Sequence, residues 1–312
     1  MNKFFEMKKD EKSPLKIASL SDAHRAFGLP HPRHPLISII KNAPSWSQFQ
    51  LPTQPHVLGF YKISYKPKLG GKLKYGQGYY DFDEGGLLFA SPGQVIGNAE
   101  NEETICSEYT LLIHPDFFLG YPLAKKISQY GFFSYTTNET LHLSENEKDT
   151  IISIFRIMDE ELNSRIDDFS HDVIITQIEL LLNYANRFYN RQFITRKPVS
   201  HNLLQRLEEL LTGYFSNEDA LSKGIPTVQY LAENLNLSPS YLSDMLRALT
   251  GQNAQQHIHD KLIEKAKEKL STTTLSVSEI AYTLGFEHPQ SFSKLFKTKT
   301  NLSPLEFRRS FN

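Results

Sequence analysis

A short segment occurs twice in the last third of this 312-residue chain, and the repeat restricts the fold more than any other feature. The apolar positions of the first copy recur 49 residues later at its start (277 − 228). Beyond the turn within the copy the spacing is 50 residues, so the second copy has one residue inserted in that turn. Such a repeat predicts one supersecondary unit that is built twice. The matched residues are Val228, Leu231, Ala232, Leu235, Leu242 and Leu246 in the first copy, and Val277, Ile280, Ala281, Leu284, Phe292 and Phe296 in the second.

Each copy reads as a helix, a tight turn and a second helix. Thr227 and Ser276 are candidate N-caps of the first helix, and Glu279 follows Ser276 at the spacing of a capping box. The central Ala232 or Ala281 lets a second helix cross closely. Apolar residues of the second helix face inward, while its other face carries small polar and basic groups. This order predicts two helix-turn-helix motifs, whose second helix enters the major groove of DNA.

One long helix is predicted between the two copies. From Ala254 to Leu270 it would be about 25 Å long at 1.5 Å per residue, near the roughly 34 Å of one DNA turn. That length suits two successive major grooves on one face of a duplex. The residues behind this prediction are the apolar Ile258, Leu262, Ala266 and Leu270, with Lys261, Lys265, Lys267 and Lys269 alongside.

Residues 1–143 predict an antiparallel β domain. Short β-rich runs alternate there with Gly, Pro and Asn/Asp turns, as in "VLGFYKISYK", "KLKYGQGYYDF", "GLLFASPGQVI" and "SEYTLLIHP". The fold class is therefore α+β. The tyrosines of these runs are interpreted as core rather than as an effector pocket. They are Tyr61, Tyr65, Tyr75, Tyr79 and Tyr80.

Residues 144–194 predict two helices of about 20 residues each, because Gly and Pro vanish and apolar residues fall at helical spacing. The second helix is apolar on more than one face, so we expect this region to form a homodimer rather than only to pack on the β domain. A short basic linker, residues 195–200, leads to an all-helical part, 201–312. Turns are expected there at Gly213 and Gly251, among other positions.

Composition excludes several classes of protein. The net charge is -1, so a basic surface for nucleic acid must be local. Cys106 is the single cysteine and cannot form an internal disulfide. The start of the chain lacks the apolar core of a signal peptide, and no run approaches 18 apolar residues. We expect a soluble cytoplasmic protein without membrane association.

Three strings in the last third share a distinctive spacing: "LAENLNLSPSYLSDMLRALTG", "KAKEKL" and "LSVSEIAYTLGFEHPQSFSKLFKTKTNLSPLEFR". Together they resemble the DNA-binding domain of the AraC/XylS family of bacterial transcriptional regulators. The upstream "GGLLFASPGQ" and "RFYNRQF" are similar, over few residues, to the regulatory half of that family. The resemblance implies a cupin-like barrel that senses a small-molecule effector, dimerising helices and double-stranded DNA as partner. RNA polymerase is a further candidate partner.

The resemblance also implies which residues meet DNA. In the first motif the base-reading positions fall at Ser240, Ser243 and Asp244, with Arg247 near the DNA backbone. Gln pairs well with adenine, Lys reaches guanine, and Asp can accept from cytosine N4. In the second motif the positions are Pro289, Gln290, Ser291 and Lys294, with Lys297 near phosphate.

The first motif departs from the family pattern. Asp244 stands where a basic residue is usual, and Ala248 and Leu249 replace a basic–acidic pair. A carboxylate near phosphates is repelled unless it finds a donor, so this motif either binds weakly or reads a cytosine. Residues 225–312 carry ten Lys and Arg against eight Asp and Glu, which predicts a modest salt dependence. A dimer would add a second pair of motifs.

Enzymatic and metal-binding interpretations find little support. His257 and His259 are two apart on a helix and point apart, and no Walker, dinucleotide or catalytic-triad motif occurs. We expect no enzyme activity, metal or cofactor. A cupin-type receptor or enzyme with an accessory helical domain, and a protein-interaction adaptor, are the alternatives. The remaining histidines of the β domain are scattered: His24, His31, His34, His56, His114 and His142.

Overall fold

In a computed structural model, the described strands all lie in the first unit of the chain, together with two long helices, and the described elements of the second unit are helices. The structure describes residues 14–41, 56–68, 72–75, 78–81, 85–96, 107–136, 139–164, 169–195, 197–216 and 219–310. The two units are Met1–Phe188 and Tyr189–Asn312. The predicted limits of the β domain, dimerisation region, linker and DNA-binding domain stay a prediction.

Short strands and two long helices make up the first unit. In chain order the elements are β1 (Leu15–Ile17), α1 (Leu20–Ala26), β2 (Ile37–Lys41), β3 (His56–Leu58), β4 (Tyr61–Lys66), β5 (Lys72–Tyr75), β6 (Gly78–Asp81), β7 (Gly86–Ala90), β8 (Val95–Ile96), β9 (Tyr109–Ile113), 3-10 turns at Pro115–Phe118, Ile127–Gln129 and Gly131–Ser134 around α2 (Leu123–Lys126), β10 (Leu141–His142), α3 (Glu145–Asn163) and α4 (Ser170–Thr195).

The largest sheet is antiparallel, in the order β10-β7-β4-β9-β2. Its register places Ile63 opposite Phe89 on one side and Leu111 on the other. All four β-rich runs that the sequence singles out contain strands, so an antiparallel sheet is confirmed. The prediction is wrong at one pairing, because β1 runs parallel to β3 in the smaller sheet β1-β3-β8. The described strands form these two sheets and the β5-β6 pair, and the closed cupin-like barrel stays a prediction.

Both faces of the large sheet are covered, which explains why all five residues of β9 are buried. On one face the ring of Tyr109 stacks on Phe155 of α3, with centroids 5.3 Å apart. The interpretation of the tyrosines as core is confirmed for Tyr65, which is buried. The rings of Tyr75, Tyr79 and Tyr80, and Cys106, lie outside the described part. A cluster on the other face comprises Ile17, Leu20, Ala23, Ile40, Leu58, Phe60 and Leu112.

The two long helices predicted between residues 144 and 194 are confirmed as α3 and α4. Lys41 Nζ of β2 lies 2.5 Å from Asp159 Oδ2 of α3, and this contact raises the pKa of Lys41. Tyr130 donates to Asn183 Oδ1 of α4 at 3.0 Å. Among the described ranges, no helix combines the length and apolar character needed to cross a bilayer.

After the end of α4, the second unit is helical throughout its described residues. One helix runs straight through Gly213, so the turn predicted there is wrong. Burial of Leu207, Leu211 and Tyr214 at helical spacing outweighs the cost of an internal glycine, about 1 kcal/mol. The helices are α5 (Lys197–Ser216), α6 (Asp219–Lys223), α7 (Val228–Leu235), α8 (Pro239–Thr250), α9 (Ala254–Thr272), α10 (Val277–Thr283), α11 (Pro289–Thr300) and α12 (Pro304–Arg309).

The turn after α10 lies against the turn after α6. Gly285 has a φ of +88°, and a Cβ placed on it would sit 2.5 Å from the carbonyl carbon of Gly224 and 2.8 Å from Ala220 O. Tyr214 donates to Gly224 O at 2.9 Å and fixes that turn from the other side. Only glycine fits at 285, because both the φ and the close backbone require it.

We expect Gly285→Ala to destabilise the second unit more than Gly251→Ala does. Both glycines have positive φ, which costs an alanine about 1–2 kcal/mol, but a Cβ at Gly251 meets no atom within 4 Å. The clash at Gly285 adds about 1–3 kcal/mol. Thermal unfolding of both variants, followed by far-ultraviolet circular dichroism, measures the difference. Equal losses would contradict the close approach of the two turns.

Candidate functional site

The first helix of each motif begins at the cap that the sequence predicts. Thr227 Oγ1 accepts from Tyr230 N at 3.1 Å at the start of α7. Ser276 Oγ accepts from Glu279 N at 3.2 Å, and Glu279 Oε2 accepts from Ser276 N at 2.7 Å, so the capping box is confirmed. Hydrogen bonds to the carboxylate from the Ser276 side chain and from its backbone N–H hold the pKa of Glu279 below its usual value.

The turns inside the two motifs have the same geometry up to the inserted residue. Asn236 and Gly285 are both left-handed, with φ of 56° and 88°. The next amide then donates back to the central alanine in each motif, at 2.9 Å in the first and 3.0 Å in the second. Proline occupies the first turn of both following helices, where its missing amide donor costs nothing. The extra residue therefore lies between the left-handed position and the proline.

The inner faces of α8 and α11 are buried as the periodicity predicts. Leu242 and Leu246 of α8 are fully buried, as are Phe292 and Phe296 of α11. Leu295 is half-buried. The two helices also end alike, since Gly251 and Asn301 both take left-handed C-cap conformations. The register of the repeat is confirmed.

The outer face of α8 carries an ion pair. Arg247 Nη1 lies 2.7 Å from Asp244 Oδ1, one turn earlier in the helix. Arg247 is exposed, whereas Ser240, Ser243 and Asp244 are half-buried. The carboxylate that departs from the family pattern thus finds a donor in its own helix. The i,i+3 spacing alone could have indicated this pair.

The outer face of α11 is exposed and positively charged. Gln290, Ser291, Lys294 and Lys297 are exposed, and Pro289 is half-buried in the first turn. Their spacing places them along one side of the helix. Within the described part of the chain, the ammonium groups of Lys294 and Lys297 make no hydrogen bond or ion pair. Two positive charges therefore stand about one turn apart, and neither forms an ion pair with a described residue.

An ion pair that the sequence did not predict ties α11 to α9. Lys299 Nζ lies 2.7 Å from Asp260 Oδ1, and Gln252 Nε2 donates to Asp260 Oδ2 at 2.9 Å. Burial raises the pKa of Asp260, but the hydrogen bonds from Lys299 and Gln252 outweigh it and leave the pKa below its usual value. Of the three lysines of α11, Lys299 is thus engaged within the fold.

Lys261, which the sequence groups with the other lysines of α9, has a separate role in the structure. It is buried, and its Nζ lies 2.6 Å from Glu208 Oε1 of α5 and 2.9 Å from Glu264 Oε1. Burial lowers the pKa of Lys261, but the two carboxylates outweigh that and raise it. This lysine therefore joins α5 to α9, and the pattern missed it because Glu208 is 53 residues away.

The histidine pair on α9 has separate partners. His257 Nε2 lies 2.9 Å from Thr250 Oγ1, and His259 Nε2 lies 3.0 Å from Gln255 Nε2. Burial lowers the pKa of both histidines. No group of three or more His, Cys, Asp or Glu side chains among the described residues is placed to hold a metal ion.

A family model described as a helix-turn-helix domain matches residues 231–310. The arabinose operon regulatory protein of Escherichia coli is 37% identical over 78 residues, which are 25% of this chain and 27% of that protein. An uncharacterized HTH-type transcriptional regulator of Bacillus subtilis is 25% identical over 268 residues, 81% of this chain and 78% of that protein.

The C-terminal domain of AraT, a response regulator from Geobacillus stearothermophilus, is a similar solved structure. It is 32% identical, has a TM-score of 0.31, and the match covers 35% of this chain and 84% of that one. The chain spans only part of several relatives: 10% of the histidine kinase P4 of Formosa agariphila and 30% of the raffinose operon transcriptional regulatory protein of Pediococcus pentosaceus.

We expect Lys299→Met to lower the free energy of unfolding by about 0.2–1 kcal/mol at pH 7, since the pair with Asp260 is partly exposed and screened. A lowered folded-state pKa stabilises the fold above the unfolded pKa of about 3.9, and this is lost as the pH falls through the folded pKa. The difference between the wild type and the variant should therefore shrink in acid. Urea unfolding at several pH values measures it.

Lys297→Met is the matched control, because Lys297 has no ion pair in the described part of the chain. Its stability should equal that of the wild type at every pH. A loss as large as that of Lys299→Met would show that the contact with Asp260 is not the cause.

Proposed function

We propose that this chain, whose residues 231–310 form a helix-turn-helix domain of the AraC type, is a sequence-specific DNA-binding regulator of transcription. Its two recognition helices, α8 and α11, would enter successive major grooves on one face of the duplex. The observation that carries the proposal is the outer face of α11, where Gln290, Lys294 and Lys297 are exposed, while Phe292 and Phe296 of the inner face are buried.

The side chains on α11 have the chemistry for this role. Gln290 can donate and accept at once and suits adenine N6 and N7, while Lys294 can donate to guanine O6 and N7. Lys297 lies one turn further and is suited to a phosphate, which fixes the register of the helix on the duplex. Ser291 can donate to a base or a phosphate. The helix therefore offers both base readout and backbone attachment.

The surface of α3 and α4 supports a homodimer. Val173 and Leu180 of α4 and Ile157 of α3 are each between 38% and 45% exposed, and Phe169 before α4 is 72% exposed. Val173 and Leu180 are seven residues apart and so lie on one face of α4, and a contiguous exposed apolar patch is typical of a protein interface. We infer that a second copy of the chain covers them, which would present four recognition helices to DNA.

The remaining parts of the proposal concern control. The β domain would be a cupin-like sensor of a small-molecule effector, and RNA polymerase is a candidate partner at the promoter. The protein would act in the cytoplasm, without an enzyme activity and without a cofactor. The similarity of this chain to transcriptional regulators supports this assignment over a catalytic one.

Selection from a random duplex library tests the proposal. The full-length chain is incubated with the library at two salt concentrations and the bound sequences are read. Two enriched blocks about 10–10.5 base pairs apart are expected, one for each recognition helix. Lys294→Ala should lose the preference within one block only. Absence of any salt-dependent enrichment by the wild type would overturn the proposed function.

We expect Lys297→Met to weaken binding to all sequences alike, because a phosphate contact carries no sequence information. The slope of log K against log salt should become shallower by about 0.9, the value for one phosphate. Lys299→Met is the control, since Asp260 already engages that ammonium group. A slope change in Lys299→Met as large as that in Lys297→Met would contradict the assignment.

We expect Leu180→Glu to weaken the dimer at least tenfold, which corresponds to about 1.4 kcal/mol. A carboxylate would have to be buried in an apolar interface without a partner. Light scattering over a range of concentrations measures the dissociation constant. Leu119→Glu, which changes a leucine 68% exposed outside α3 and α4, should leave the dimer intact. Equal effects of the two variants would exclude this surface.

A further inference from the structure

The two recognition helices have opposite charges at one equivalent position. In the register of the repeat, Asp244 of α8 corresponds to Lys294 of α11, and Arg247 corresponds to Lys297. In α8, Asp244 and Arg247 form an ion pair at 2.7 Å, so their charges offset each other. Lys294 and Lys297 of α11 form no ion pair or side-chain hydrogen bond with a described residue. The same backbone thus presents a neutral pair in one motif and two positive charges in the other.

The geometry of the α8 pair favours its persistence near DNA. A distance of 2.7 Å is that of a charge-assisted hydrogen bond, which is stronger than one between neutral groups. The Asp244 side chain is 29% exposed, so solvent and salt screen the pair less than one between two fully exposed groups. The contact engages Nη1 of Arg247, so the carboxylate offsets the charge of the guanidinium and turns it toward α8, which weakens its attraction to a phosphate. Asp244 itself is repelled by phosphates.

We propose that Asp244 is a specificity-determining residue, which holds Arg247 away from the phosphates and requires a cytosine amino group opposite α8. This inference rests on the proposed function. It assigns different tasks to the two motifs: α11 supplies most of the affinity through its free lysines, and α8 supplies discrimination with little affinity of its own.

The choice of cytosine follows from the groups that the major groove presents. An ionised carboxylate only accepts hydrogen bonds. Guanine N7 and O6 and thymine O4 are acceptors and repel it, and adenine places its N7 acceptor beside its N6 donor. Cytosine N4 is a donor without an adjacent acceptor on the same base. A carboxylate on α8 therefore favours cytosine and disfavours the other bases.

The test compares the full-length wild type with Asp244→Asn and with the double variant Asp244→Asn/Arg247→Met. Asparagine keeps the shape of the side chain and removes the charge that holds Arg247. In Asp244→Asn the freed guanidinium should reach a phosphate, so binding to random duplex should tighten by roughly threefold to tenfold and the salt slope should steepen by about 0.9. The double variant should return to the slope of the wild type.

The selected sequences give a second readout that a purely structural role would not move. The block read by α8 should lose its preference for cytosine at one position in Asp244→Asn. A gain of adenine there is expected, because an amide donates and accepts as adenine N6 and N7 require. The block read by α11 should be unchanged in both variants, which shows that they fold and dock normally.

Two results would overturn the inference. In the first, Asp244→Asn has the wild-type slope and the double variant is shallower by about 0.9, which means that Arg247 already binds a phosphate in the wild type. In the second, the α8 block keeps the same base at every position in Asp244→Asn. Failure of the proposed function is distinct, because the wild type itself would then enrich no sequence in either block.

Discussion

Burial of one stripe along α9 gives the two motifs a common support, because one helix of each motif, α8 and α10, packs directly on it. Ala254, Ile258, Leu262, Ala266 and Leu270 are each at most 2% exposed, and α9 packs against α5, α8, α10 and α12. Burying a leucine or isoleucine is worth about 1.5–3 kcal/mol, and the alanines let the crossing helices approach closely. Both motifs therefore share one core: α8 packs directly on α9, whereas α11 packs on α10 and α12 and meets α9 through the Lys299–Asp260 ion pair.

Among the described residues of this core, Lys261 is a charged side chain that is buried. Burial of Lys261 is tolerated because Glu208 and Glu264 both lie within 3 Å of its ammonium group. Removing one partner of such a group costs more than the intact pair contributes, since a charge is left without compensation. The lysine thus selects the one placement of α5 along α9 that brings Glu208 to it. Apolar side chains alone specify such a placement less strictly.

Local periodicity was enough to predict the helices, caps and buried faces of the two motifs. Thr227, Ser276 and Gly251 were assigned correctly because caps and left-handed residues depend on neighbours in the chain. Contacts between distant residues were not predictable in this way. The partners of Lys261 and Lys299 could not be predicted, because a one-dimensional pattern does not reveal a carboxylate 53 or 39 residues away. The same limit applies to the parallel pairing of β1 with β3 and to the approach of Gly285 to Gly224.

For the candidate DNA-binding site, the residue types and the exposed faces of α8 and α11 were predictable from the sequence. The difference in charge between the two helices required the geometry of the Asp244–Arg247 contact.

The 19 residues of α9 include neither glycine nor proline, and a capping box at Asn253 fixes the N-terminus of the helix. Such a helix has no hinge, so under the proposed function the angle between the recognition helices is fixed as firmly as their distance. One base pair added between the two DNA blocks rotates the second block by about 34–36° around the duplex axis. The protein would not absorb that rotation, and the DNA would have to untwist at an energy set by its own stiffness. The C-terminal unit would therefore sense the torsional phase of its site as well as the bases within it.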